Sequence, residues 1–186
     1  MTAQHPDVEC GCVYWITGLT GAGKTTVAAQ LVTMLRAVGR PVLFLDGDVM
    51  RDIFPGGDRH SPQDRLRLSL GYARLCKEVS AQGIEVVCAT VSMSHEVRRW
   101  NREHIPVYRE IYLEVPKEEL KQRDSKGFYR AFEEGRLRDM VGLDVAAELP
   151  ESPDMTIPNY KDVSPLRAAE KIWDAFIAPS LAGRER

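Results

Sequence analysis

Four short apolar runs recur along the chain, and segments of helical spacing separate them. Cys12–Thr17 (CVYWIT), Pro41–Asp46 (PVLFLD) and Ile84–Val91 (IEVVCATV) are rich in β-branched and aromatic residues and alternate little. That pattern predicts strands covered on both faces. Arg109–Val115 (REIYLEV) predicts a fourth. Between the first two runs, Val27, Ala28, Leu31, Val32 and Leu35 mark one face of a helix over 25–38, with Gly39 as its stop. A turn-rich FPGGDRHSP leads to a second helix over 62–82, with Ser61 as N-cap and Gly83 at its end. A third covers 95–104, and another opens at Pro116, where proline suits the first turn. The charged span 125–138 predicts a mobile helical hairpin. Loop-like sequence follows to Pro165, and an amphipathic helix covers 165–177. Strands alternating with helices in this way imply an α/β fold: a parallel sheet with helices on both faces, three layers in all.

At 186 residues, one domain over 12–178 is expected, with a disordered lead (1–11) and a flexible tail (179–186). The net charge of -2 argues against electrostatic binding of long nucleic acid or of an anionic membrane. No apolar run reaches the roughly 18 residues of a membrane span, and MTAQHPDVECGC lacks the basic-then-apolar order of a signal peptide. A cytoplasmic location is therefore expected. Cys10-x-Cys12 has no second pair to complete a zinc site, so Cys10, Cys12, Cys76 and Cys88 are read as buried, reduced thiols.

The chemistry begins behind the first strand. Gly18-Leu19-Thr20-Gly21-Ala22-Gly23-Lys24-Thr25, followed by Thr26, fits G-x-x-x-x-G-K-[ST] at every fixed position and lies between a strand and a helix. Such a loop turns backbone N–H groups onto phosphate oxygens, and the helix N-terminus adds positive potential. Lys24 would reach the β- and γ-phosphates of ATP, and the Thr25 hydroxyl would ligate Mg²⁺. No Asn-Lys-x-Asp segment is present to select guanine, and the small size favours a kinase for a small acceptor.

At the end of the second strand stand Asp46 and Asp48, separated by Gly47. Two carboxylates beside a phosphate loop can orient Mg²⁺-bound water and accept the proton of an attacking hydroxyl. Arg51, Arg59 and Arg65 follow, donors suited to an acceptor's phosphate. His95 and His104 are read as surface helix positions, and Trp100, Tyr108 and Tyr112 as core or dimer contacts.

GLTGAGKTT, LDGDVMR, SPQDR, ATVS, RDSKGFYR and GLDVAAELPESPD, in this order and spacing, resemble the adenylylsulfate kinase family over roughly residues 12–176. The resemblance implies a P-loop kinase fold with a small lid (about 123–140). The implied activity is ATP- and Mg²⁺-dependent phosphorylation of the ribose 3′-hydroxyl of a nucleotide. It makes Asp48 the catalytic carboxylate and a metal neighbour, with Asp46 and Lys24 in support. Arg51 and Arg65 would grip the acceptor, and Ser92 would line its pocket. Arg123 through Tyr129 would form the lid, with Arg123 and Lys126 toward ATP and with Lys126, Gly127 and Phe128 over the acceptor. The departures cluster on the acceptor side. His60 stands where the family has Phe, Leu68-Ser69-Leu70-Gly71 replaces Asn-Ile-Arg-Arg, and Val91-Ser92-Met93-Ser94-His95 replaces Ile-Ser-Pro-x-Arg. LCKEVSAQGIEVVCATVS and WNREHIPVY resemble a branch tied to surface-polysaccharide modification, whose acceptor is cytidine diphosphoramidate. That acceptor is placed ahead of adenylylsulfate. A regulatory module that hydrolyses ATP slowly is the alternative from another class, and the partners otherwise expected are a small nucleotide and a second copy of the chain.

Overall fold

The computed structural model describes residues 9–54, 61–124 and 126–182. Five strands, β1 (Val13–Thr17), β2 (Val42–Asp46), β3 (Glu85–Ala89), β4 (Tyr108–Glu114) and β5 (Met155–Pro158), form one sheet in the order β2-β3-β1-β4-β5. Every pairing is parallel. The helices are α1 (Lys24–Ala37), α2 (Gly47–Ile53), α3 (Pro62–Ser80), α4 (His95–His104), α5 (Lys117–Arg123), α6 (Phe128–Glu133), α7 (Pro165–Phe176) and α8 (Ala178–Ala182).

β1 lies at the centre, and all five of its residues are buried. Because strand side chains alternate, Tyr14 and Ile16 enter one core with Leu31, Leu35 and Ile172 of α1 and α7. Val13 and Trp15 enter the other, with Tyr72, Cys76 and Val97 of α3 and α4. The missing hydrophobic alternation in the sequence is thus explained by helices on both sides. Trp15 is wholly buried, and truncating such a side chain to Ala typically costs about 3–5 kcal/mol. The helix boundaries follow the expected signals. The Ser61 hydroxyl accepts from the Asp64 N–H at 3.1 Å with Pro62 in the first turn, and Ser164 caps α7 in the same way through the Arg167 N–H.

Five expectations need correction. Gly11, assigned to a disordered lead, is buried and its N–H donates to the Ser80 carbonyl at 2.8 Å. A Cβ there would lie 2.1 Å from the Ile84 carbonyl oxygen, so the chain is already packed at this point. Met155–Pro158, within the supposed loop, forms β5 beside β4; four residues ending in proline carry too little period to show it. The tail is helical through Ala182, and the Ser180 hydroxyl receives a 2.9 Å bond from Arg40. Among the described residues of 125–138 there is one helix, α6, rather than a hairpin, and Lys121 of α5 pairs with its Glu133 at 3.3 Å. The segment after LDGD forms α2, because the Asp46 carboxylate accepts from the Asp48 N–H at 2.8 Å and caps it. All four cysteines are free; Cys12, Cys76 and Cys88 are buried as expected, whereas Cys10, just ahead of β1, is exposed. No helix among the described residues is long and apolar enough to cross a membrane.

Candidate active site

The loop between β1 and α1 opens onto a cleft of about 930 Å³ at the carboxyl ends of the strands, where open parallel sheets hold their ligands. Thr20, Gly21, Gly23, Lys24, Thr25 and Thr26 line it. Gly18, Leu19 and Ala22 do not; Leu19 and Ala22 are buried behind the loop. Gly23 has φ +86°, and a Cβ there would meet Asn159 Nδ2 at 2.8 Å. Asn159 occupies that space because it donates to the Ala22 carbonyl at 2.8 Å and braces the loop from the end of β5. Shape and bracing together fix the loop for phosphate oxygens, while the Ala22 N–H is spent on the Leu19 carbonyl at 3.1 Å.

Lys24 donates from Nζ to the Leu19 carbonyl at 2.9 Å. Burial, aided by Lys126 and Arg51 and opposed by Asp46, pushes its ammonium down to about 7. The Thr25 hydroxyl donates to Asp46 Oδ2 at 2.6 Å, so the two sequence signals meet in one place. Asp48 pairs on one side with Arg51 and on the other with Lys126. Among the described residues no group of three or more His, Cys, Asp or Glu is placed to hold a metal. The Thr25–Asp46 pair nevertheless offers the hard oxygen donors that Mg²⁺ shares with nucleotide phosphates.

The lid residues divide. Lys126 and Phe128 line the cleft, and the Tyr129 hydroxyl donates to the Thr20 carbonyl at 2.9 Å, tying α6 to the phosphate loop. The Asp124 carboxylate caps α6 by accepting from the N–H groups of Tyr129 and Arg130, each at 3.0 Å. Gly127 is the N-cap residue of α6 and lies outside the cleft lining. Arg123 turns away from the cleft, donating to the Asn159 carbonyl at 3.0 Å and to Glu119 at 3.2 Å. It therefore touches the brace of the phosphate loop.

Beyond Asp48 the cleft changes character. Arg65, Leu68 and Tyr72 come from α3, Ser92 and Met93 from the loop after β3, and Met140 and Val141 from the segment behind the lid. Arg65 also donates to the Asp139 carbonyl. Arg59 and His60 lie outside the described residues. Sequence reasoning missed Tyr72, Met140 and Glu148 and placed His95 on the surface; all four line the cleft. The Glu148 carboxylate accepts the His95 N–H at the start of α4. Arg98 lies 2.8 Å from His95 Nδ1. Since arginine can only donate, that nitrogen is the acceptor and Nε2 carries the proton. Arg98 also donates to the Glu148 carbonyl at 2.6 Å and pairs with the buried Glu110 at 3.3 Å. Burial raises the Glu110 carboxyl above its ordinary value, against the pull of Arg98 and Arg102.

The family model for adenylylsulphate kinase matches residues 10–158. A cytidine diphosphoramidate kinase of Campylobacter jejuni is 36% identical over 147 residues, which cover 79% of this chain and 85% of that protein. An adenylyl-sulfate kinase of Vibrio cholerae is 34% identical over 171 residues, covering 91% of this chain and 75% of that one. The structure of the Mycobacterium tuberculosis APS kinase in complex with AMPPNP and APS superposes with a TM-score of 0.82 at 26% identity, covering 89% of this chain and 96% of that one.

Proposed function

The chain belongs to the adenylylsulphate kinase family and is a phosphotransferase; from that premise we propose that it moves the γ-phosphate of ATP to the ribose 3′-hydroxyl of an activated nucleotide. Cytidine diphosphoramidate is the acceptor favoured here, with adenylylsulfate as the second reading. The observation that carries the proposal is the placement of Asp48. It stands between Arg51 and the lid's Lys126, at the boundary between the phosphate loop and the hydroxyl-lined part of the cleft.

From this placement the roles follow. Backbone N–H groups of the cleft-lining loop residues Gly21 and Gly23 to Thr26, with the Lys24 side chain, hold the donor's phosphates. Asp48 accepts a hydrogen bond from the attacking hydroxyl and draws off its proton. Arg51 and Arg65 hold the acceptor's phosphate, as guanidinium forks do well. Lys126 exchanges its ion pair with Asp48 for the transferring phosphoryl group, and the lid keeps water from competing with the acceptor. Mg²⁺, held by Thr25 with Asp46 behind it, would neutralise charge on the phosphate oxygens. In-line transfer needs positioning and charge stabilisation more than covalent chemistry, and these side chains offer both.

Support for the cytidine acceptor comes from the Campylobacter jejuni relative and from the changed residues at Leu68 and at 91–95, which face the acceptor end. Support for adenylylsulfate comes from the Vibrio cholerae relative and the APS-bound neighbour. A coupled ADP-release assay with each acceptor decides between them. The cytidine acceptor should give the higher kcat/KM, and a strong preference for adenylylsulfate reverses the ranking. If neither acceptor raises ADP release above the basal rate, the slow regulatory ATPase is the better account.

A further inference from the structure

Among the described residues, two residues of the cleft wall carry buried hydroxyls with no hydrogen-bond partner. Tyr72, on α3, is 2% exposed, and Ser92 lies in the loop between β3 and α4. Both residues line the cleft, and among the described residues neither oxygen is hydrogen-bonded. Three other hydroxyls on buried residues are satisfied. Tyr108 receives a bond from Asn101 at 3.2 Å, Tyr129 donates to the Thr20 carbonyl, and Thr17 donates to the Val91 carbonyl at 2.9 Å. An unpaired buried hydroxyl costs the fold free energy, so proteins rarely keep one without a use.

The Tyr72 ring is held firmly. Phe54 meets it edge-on with centroids 5.4 Å apart, and it packs in the core cluster that Leu66 and Leu68 flank. Burial pushes its phenol up to about 12, with Arg51 pulling only partly the other way. At neutral pH it is an uncharged donor and acceptor. The cations Lys24, Arg51, Arg65 and Lys126 already serve phosphates in this reading. Tyr72 and Ser92 sit instead beside Leu68, Met93 and Met140, side chains suited to the flat faces of a base.

We propose that the Tyr72 and Ser92 hydroxyls hydrogen-bond to the edge of the acceptor's nucleobase and so help set which nucleotide is phosphorylated. This rests on the reading of the cleft as a nucleotide-kinase site. The hydroxyls cost stability in the empty protein and return it as selectivity when the acceptor binds.

The test uses Tyr72→Phe and Ser92→Ala in the full chain, with cytidine diphosphoramidate and adenylylsulfate as acceptors. Each variant should raise the KM of the preferred acceptor roughly 5- to 100-fold, the range for a buried bond left unmade. kcat and the KM for ATP should stay near wild type, since the lost contact is to the bound acceptor alone. The ratio of kcat/KM between the two acceptors should move toward one. The melting temperature of the ligand-free variants should hold or rise, because an unsatisfied hydroxyl has been removed. A structural hydroxyl would act in the opposite direction, so a ligand-free melting temperature lowered by several degrees overturns the proposal. So does an unchanged KM, and so does an equal loss on both acceptors, which would put the hydroxyls on the shared ribose. Failure of the wild type to phosphorylate either acceptor would refute the kinase reading instead, and the ligand-free melting temperatures report on the hydroxyls independently of it.

Discussion

Lys24 makes ATP binding and folding respond to pH in opposite directions. In the ligand-free protein burial, Lys126 and Arg51 hold its ammonium near 7, while Asp46 pulls it back only partly. A lysine in the unfolded chain titrates near 10.4. Between these values the unfolded state binds more protons than the folded one, so the contribution of Lys24 to stability grows as pH rises from about 7 toward 10. Binding of a triphosphate reverses the balance, because phosphate oxygens favour the charged amine. At pH 8, about nine-tenths of Lys24 is neutral in the free protein, so each ATP bound takes up close to one proton. The cost of that protonation is about 1.4 kcal/mol at pH 8, or tenfold in Kd, and Kd rises about tenfold with each further unit.

Isothermal titration calorimetry of ATP binding between pH 6.5 and 9 measures this directly, and buffers of different ionisation enthalpy count the protons. The expected plot of log Kd is nearly flat below pH 7 and climbs with a slope approaching one above it. Lys24→Arg supplies the control, because a guanidinium stays charged throughout the range. Its slope should vanish even if its affinity is lower. A wild-type Kd that stays constant to pH 9, or equal proton uptake by wild type and Lys24→Arg, refutes the assignment of the shift to Lys24.

Asp48→Asn should lower kcat by about 10²- to 10⁴-fold, as expected for a lost proton acceptor. Its melting temperature should stay within a degree or two, because the ion pairs of Asp48 with Arg51 and Lys126 are exposed and contribute little. Circular dichroism melts and steady-state assays on one preparation check both. Gly23→Ala forces a side chain into φ +86° and against Asn159, so it should abolish ATP binding by calorimetry and destabilise the fold by at least about 1 kcal/mol. Arg98→Ala leaves the buried Glu110 with Arg102 as its one cationic partner, and urea unfolding should show a loss of about 1–3 kcal/mol. Retained stability in Arg98→Ala would mean that the Glu110 carboxyl is protonated in the fold.

Donor and acceptor halves of the cleft differ in how openly the chain displays them. The phosphate loop occupies consecutive residues between a strand and a helix, so its geometry is written in one short stretch. Asp46 joins it because β2 is one of five parallel strands that all end on the same side, and strand ends can be read from the apolar runs. Neither step depends on knowing which helix packs on which face. α2 escaped because its seven residues bury only Gly47 and Met50, and a side-chain cap rather than an apolar stripe starts it.

The acceptor half has no such local sign. Tyr72 falls with Ala73, Cys76 and Ser80 on the buried face of α3, where helical spacing marks any of them as core. Only the packed structure separates it from those neighbours, by bringing it to the cleft lining with a hydroxyl that no described residue partners. His95 illustrates the same problem from the other side. At the start of a polar helix it looks solvent-facing, yet Glu148, from a segment more than fifty residues away, meets its N–H and brings that loop to the cleft. A phosphate site needs backbone N–H groups and a few fixed residue types, so it leaves a motif. A base-reading site can be built from any side chains with the right edge, brought together from α3, the β3–α4 loop and the segment behind the lid. In the proposed reading, substitution there would change the acceptor without disturbing transfer itself, so the departures from the family pattern at Leu68 and 91–95 fit beside an intact Lys24, Thr25, Asp46 and Asp48.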